Sequence, residues 1–214
     1  LCPVTLELGG KNPNIIMSDA DLDIAIPGVI DGMRYTRQGQ ACTAGSRVYI
    51  QEKIYEKVLE GVVDKLKNLK MGNALDENSD IGAIISKEQL DRTLHYMNIA
   101  KENSSTKVLH GGNQKKEGDY KDGFFYEPTL LSGVPVESPV CQDEIFGPVA
   151  CAIPFKSFDE VLKSANNTPF GLSAVLWTQN LSRALQFVEE IEAGFVQVNQ
   201  CVAPRANVSY GGLK

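Results

Sequence analysis

The sequence predicts an α/β fold: three layers, with a mostly parallel sheet flanked by helices. Short apolar runs such as Asn14-Ile15-Ile16-Met17, 47–51, 149–155 and 195–199 alternate with longer segments of helical period such as 52–71 and 86–103. Strands that alternate with helices along a chain pair in parallel and are covered by the helices on both faces. With 214 residues, 43% of them hydrophobic, there is ample core for one large domain or two small ones.

The elements follow in order. Val4, Leu6 and Leu8 alternate with Thr5 and Glu7, a strand period that Gly9-Gly10 ends. Glu7 is thus expected at a strand end, either solvated or reaching into a cleft. Residues 14–17 read as a buried strand, and Ser18-Asp19-Ala20-Asp21 offers capping oxygens to a helix with the stripe Leu22, Ile26, Val29, Ile30, Met33. Pro27 suits a kink or a restarted first turn. The helix over 52–71 buries Ile54, Val58, Val62, Leu66 and Leu69, with Gly72 as its left-handed cap.

Ser86-Lys87-Glu88-Gln89 matches a capping box before a helix to about 103, on which His95 falls off the apolar stripe. A short strand at 107–110 and a polar, hairpin-like excursion at 113–122 follow. A strand is expected over 124–131, bent by Pro128. Another capping box, Ser157-Phe158-Asp159-Glu160, opens a short helix, and Asn180 caps one over 181–192. Strands are expected at 173–178 and 195–199. Ligands of such sheets bind beyond the carboxyl ends of the strands, and Glu7, the Cys42 loop and Asn199 are expected on strand-to-helix connections there.

The formal net charge of −6 argues against a nucleic-acid or anionic-membrane binder. No apolar run approaches the ~20 residues needed to cross a bilayer. The N-terminus has no Met, basic region or apolar h-region, so it is not a signal peptide and reads as the middle of a protein. The cysteines Cys2, Cys42, Cys141, Cys151 and Cys201 are odd in number and widely spaced, with no C-x-x-C pair. Reduced thiols in a cytoplasmic protein are the simplest reading, and no metal site is expected.

Two stretches carry chemistry. Gly39-Gln40-Ala41-Cys42-Thr43-Ala44-Gly45-Ser46-Arg47 places one cysteine among small residues between glycines. Such a loop presents a nucleophilic thiol or packs a structural one; by itself it does not choose. Pro139-Val140-Cys141-Gln142-Asp143-Glu144-Ile145-Phe146-Gly147-Pro148-Val149 offers a carboxylate to ligand hydroxyls and a ring to a flat heterocycle, or is a packed turn before a strand.

Taken together, these motifs resemble the aldehyde dehydrogenase superfamily. Leu6-Glu7-Leu8-Gly9-Gly10-Lys11 is similar to its glutamate signature and the Cys42 loop to its cysteine signature. Glu144-Ile145-Phe146-Gly147-Pro148 resembles a third motif. Asn166-Asn167-Thr168-Pro169-Phe170-Gly171-Leu172, Val198-Asn199 and Tyr210-Gly211-Gly212-Leu213-Lys214 resemble later ones. The resemblance implies NAD- or NADP-dependent oxidation of an aldehyde to a carboxylate. Cys42 would be the nucleophile, its backbone N–H an oxyanion donor, and Glu7 the base for thioester hydrolysis. Glu144 and Phe146 would bind the nicotinamide ribose and ring, and Asn199, Cys201 and Arg205 would lie near the substrate.

The resemblance also implies a homodimer or homotetramer in full-length form. Residues 1–214 would be a catalytic domain, without the coenzyme-binding domain and the C-terminal oligomerisation segment, and inactive alone. Tyr210 stands where Phe is commoner, and Arg37 where many members carry Asn. The alternatives are a coenzyme A-acylating relative, against which Glu7 speaks, and a non-catalytic binding relative.

Overall fold

The computed structural model describes residues 2, 4, 6–202 and 207–214. Seven strands form one sheet: β1 (Pro13–Ile16), β2 (Arg47–Gln51), β3 (Lys107–His110), β4 (Thr129–Ser132), β5 (Val149–Phe155), β6 (Ser173–Trp177) and β7 (Phe195–Val198). Their order is β3-β4-β5-β2-β1-β6-β7. Every pairing is parallel except β3 with β4. The three-layer, mostly parallel α/β fold read from the sequence is the fold observed.

The period-2 alternation of the strands divides the core. Ile16, Val48, Ile50, Ala152 and Val175 face α1 (Leu22–Met33) and α2 (Tyr55–Lys67). Ile15, Tyr49, Cys151, Ile153 and Leu176 face the opposite layer. That layer is α3 (Lys87–Glu102), α4 (Pro139–Gln142), α5 (Phe158–Asn166) and α6 (Leu181–Glu190). Capping fixes the helix starts as expected: Asp21 caps α1, Ser157 and Glu160 form a reciprocal capping box on α5, and Asn180 caps α6.

Several expectations are corrected. Among the described residues there is no strand before Pro13; Leu6 and Leu8 are 64% and 63% exposed. A strand needs a ladder partner, and both edges of β1 are taken by β2 and β6. Pro27 lies inside α1, past its first turn, and the helix continues through it. Asp23, whose carbonyl loses its donor there, lies on the exposed side. The helix predicted over 52–71 is a 3₁₀ turn at Glu52–Ile54 followed by α2, which ends at Lys67. Gly72 is not a cap; its N–H donates to the Ile81 carbonyl in a parallel bridge region. Over 124–128 the ladder is a single antiparallel bridge of Tyr126 with Gln114, which Pro128, having no N–H, does not extend; β4 starts at Thr129.

The position of the candidate site is also corrected. The Gly9-Gly10 turn, the Cys42 loop and the Glu144 loop precede β1, β2 and β5. Those strands run parallel, so all three loops gather at the amino edge of the sheet, not the carboxyl edge.

Candidate functional site

At the amino edge the three motifs interlock through backbone. The Gly10 N–H donates to Glu144 Oε1 at 2.9 Å. Asn12 Nδ2 donates to the Cys42 carbonyl at 2.8 Å and to the Ala44 carbonyl at 3.0 Å. Asn12 Oδ1 accepts from the Ser173 N–H at 2.9 Å, tying the same knot to the start of β6. Glycine is required where loops touch. A Cβ on Gly10 would stand 2.4 Å from the Cys42 carbonyl oxygen. One on Gly39, which has φ of +65°, would stand 2.2 Å from the Gly147 carbonyl oxygen. A narrow cleft between the loops is lined by Gly10, Ala41, Ala44, Glu144 and Phe146.

Two cations are buried behind this edge. Lys11 Nζ donates to the Val140 carbonyl at 2.7 Å, four residues before Glu144. Burial pulls the Lys11 ammonium pKa below its usual value, ahead of the smaller opposing pull of Cys151 and Cys141. Arg47 Nε donates to the Lys11 carbonyl at 2.8 Å, and Arg47 Nη2 to the Ala165 carbonyl at 2.8 Å. Carbonyl dipoles rather than carboxylates solvate both groups, so each fixes a loop without adding an anion near the thiol.

The Glu144 loop is held from the other side by α3. Ser86 accepts from the Gln89 N–H as the capping pattern requires, but Gln89 does not return the bond. Its Nε2 donates instead to the carbonyls of Ile145, at 2.9 Å, and Phe146, at 2.7 Å. Arg92 donates to the carbonyls of Glu144 and Ile145. These bonds hold Phe146 in a left-handed backbone conformation, φ +59°, which a bulky residue rarely adopts. Phe146 is 36% exposed.

Cys42 is half-buried, and among the described residues its backbone N–H has no hydrogen-bond partner. Its Sγ lies 3.3 Å from the Tyr210 hydroxyl. Glu7 is exposed, and its charge acts on Tyr210, so it belongs to the same neighbourhood. The structure therefore brings Cys42, Glu144 and Phe146 to one edge, with Glu7 beside them. It does not bring Asn199 there. Asn199 follows β7 at the carboxyl edge, where its amide accepts from the Thr178 N–H at 2.9 Å and donates to the Thr178 carbonyl at 2.8 Å. Cys201 is half-buried against Gly32 near the end of α1, and burial raises its thiol pKa. Arg205 lies outside the described residues.

The chemistry of these residues suits a ligand with hydroxyls and a flat ring. Glu144 Oε1 is taken by the Gly10 amide, which orients the carboxylate, and the exposed Phe146 offers an apolar ring. Asn12, Gln89, Arg92 and Tyr210 were not legible as site residues, since a polar side chain on a loop or helix face gives no sign of which carbonyl it will meet. A roomier hollow, about 1180 Å³, lies elsewhere, between residues 70–79 and 118–123, and includes none of these groups.

The Aldehyde dehydrogenase family profile matches residues 1–214. The chain is 40% identical over 210 residues to the alpha-ketoglutaric semialdehyde dehydrogenase of Bacillus subtilis, covering 98% of this chain and 43% of that protein. It is also 40% identical to the betaine aldehyde dehydrogenase of Vibrio vulnificus, covering 100% and 44%. A crystal structure of Staphylococcus aureus betaine aldehyde dehydrogenase with NAD+ superposes with a TM-score of 0.92 at 33% identity, over 96% of this chain and 40% of that one. The NAD+ complex of a Bacillus cereus aldehyde dehydrogenase gives 0.92 at 39% identity, over 98% and 42%. The chain spans about two-fifths of the length of these relatives. The profile over the whole chain, the sequence identities and the superposition agree with the motifs: the chain belongs to the aldehyde dehydrogenase family.

Proposed function

We propose that this chain is the catalytic domain of an NAD- or NADP-dependent aldehyde dehydrogenase that oxidises an aldehyde to a carboxylate. The observation that carries the reading is the pair of bonds from Gly10 to Glu144 and from Asn12 to Cys42. They hold the cysteine loop, the glutamate-bearing loop and the Glu144 loop as one unit.

In this reading the Cys42 thiolate adds to the aldehyde carbon, forming a C–S bond and a thiohemiacetal oxyanion. The free Cys42 amide is available to donate to that oxygen. Glu144 binds the nicotinamide ribose and Phe146 packs beside the ring. NAD(P)+, when bound, supplies the hydride acceptor that takes the carbon to the thioester level. Glu7 then removes a proton from water as it attacks the thioester, and the C–S bond breaks to return the thiolate. The exposure of Glu7 suits a base that must reach water. Cys201 and Arg205 would border the substrate, whereas Asn199, bonded to Thr178 at the opposite edge, would not.

The coenzyme-binding domain would come from outside these 214 residues, and the full-length protein would be a homodimer or homotetramer. Among the described residues no helix is long and apolar enough to cross a membrane. All five cysteines are free, in keeping with a reducing cytoplasmic setting. The named relatives act on semialdehyde and betaine aldehyde, so a small aldehyde is the substrate class.

The test is steady-state and burst kinetics on the complete protein that carries this chain. Cys42→Ala is expected to abolish NAD(P)H formation. Glu7→Gln is expected to give a burst of one equivalent followed by stalled turnover. Undiminished turnover by Cys42→Ala refutes the reading. An absolute requirement for coenzyme A would replace hydrolysis with acyl transfer.

A further inference from the structure

Tyr210 is the one side chain whose polar atom reaches the Cys42 sulfur among the described residues, at 3.3 Å. It does not arrive there loosely. Its ring meets Phe195 edge to face, with centroids 5.6 Å apart and planes at 71°. Phe195 opens β7, so the platform beneath the ring is part of the sheet. Three residues on, the Leu213 N–H donates to the Gly171 carbonyl at 3.0 Å. Lys214 Nζ donates to the Asn166 carbonyl at 2.9 Å and pairs with Glu192. The tail is pinned just after Tyr210, by Leu213 and Lys214.

We propose that the Tyr210 hydroxyl is a further catalytic group, donating a hydrogen bond to Cys42 Sγ that favours the thiolate and fixes the sulfur for attack. This rests on Cys42 being the nucleophile.

A thiol–phenol pair has two possible directions of donation, and the surroundings choose one. Burial, the Cys42 side chain and the Glu7 carboxylate, in that order of weight, push the Tyr210 phenol far above its ordinary pKa, against a smaller opposing pull from Arg34. The phenol therefore keeps its proton at neutral pH and is the donor. A donor aimed at sulfur stabilises the charged form over the neutral thiol. When Cys42 ionises, its proton goes to solvent and the tyrosine proton stays on oxygen, so the pair ends as thiolate and phenol. The charged groups nearby are Glu7, Arg34 and, across Gly10, Glu144. Phenylalanine would fill the same space on Phe195 and leave the sulfur without that donor.

The experiment is the pH dependence of Cys42 alkylation by iodoacetamide, followed by peptide mass in the complete protein, wild type against Tyr210→Phe. Removing the hydroxyl is expected to raise the alkylation midpoint by about 0.5–1 pH unit. Below the midpoint, the rate should fall by roughly 3–10-fold. Hydride release should fall with it at low pH and recover at high pH, a signature that a packing defect would not give. Superimposable alkylation profiles overturn the inference. Cys42→Ala separates the two levels: if it still turns over, the nucleophile assignment fails. If it is dead and Tyr210→Phe titrates as wild type, only the role of Tyr210 fails.

Discussion

The Asn12 side chain donates to the Cys42 carbonyl at 2.8 Å, while its own carbonyl accepts from the Ser173 N–H at 2.9 Å. One buried amide thus couples the cysteine loop to the first residue of β6. The loop is precise because it is bonded to the sheet edge, not because it is short.

Asn12→Ala strands the Ser173 N–H and releases the Cys42 and Ala44 carbonyls. Leaving buried polar groups unmade costs about 1–3 kcal/mol each, so a loss on the order of 3 kcal/mol in urea unfolding is expected. Turnover should fall by about 10–100-fold, since the thiol would no longer be held in register. A fully active Asn12→Ala protein would remove this residue from the account.

Gln89 acts through the Glu144 loop. Its bonds to the Ile145 and Phe146 carbonyls hold Phe146 at positive φ. Gln89→Ala is expected to relax that conformation and weaken NAD+ binding by about tenfold, roughly 1.4 kcal/mol. Iodoacetamide should alkylate Cys42 at the wild-type rate, because the cysteine loop is bonded to Asn12 instead. Calorimetric titration of NAD+ and the alkylation rate measure the two halves.

Gly28 faces Trp177 across α1 and β6. A Cβ there would stand 2.1 Å from Trp177 Cζ2. Alanine is the better helix former by about 1 kcal/mol. Overpacking a full core costs about 1–3 kcal/mol, and Trp177 is itself bonded through Nε1 to Asn14 at 2.7 Å and cannot swing freely. Gly28→Ala should therefore destabilise by up to about 2 kcal/mol net, read as a lower midpoint in thermal unfolding.

His110 is expected to make the fold acid-sensitive. Burial lowers its pKa below the ordinary 6.5, with Lys67 adding to the effect and Glu127 opposing it. The unfolded chain then binds more protons than the folded one, so stability rises with pH. The contribution is present above pH 6.5 and is lost as pH falls through the depressed folded value. Urea midpoints should drop between pH 7.5 and 5.5, and His110→Gln should flatten that slope.

The strands at 47–51 and 149–155 were legible to the residue because each is an apolar run bounded by charge, glycine or proline. The helix starts were legible because Asp21, Ser86, Ser157 and Asn180 carry their capping oxygens in the sequence itself. Residues 4–8 carry a strand's alternation without forming one, since alternation reports two faces and not a hydrogen-bonding partner. The end of α2 was misplaced because leucine at 69 continues the stripe after the helical bonds have stopped.

By itself the sequence determined the α/β class, the motif residues Glu7, Cys42, Glu144 and Phe146, and the family they resemble, because those depend on local pattern and residue chemistry. Only the tertiary structure decided that the site lies at the amino edge of the sheet, that Asn12, Gln89 and Lys11 hold its loops, and that Tyr210 touches the thiol across 168 positions of sequence. Pattern fixes what a segment can be. Which carbonyl a buried amide meets, and which sulfur a phenol reaches, depends on how strands are ordered, and that order is a property of the whole packed chain.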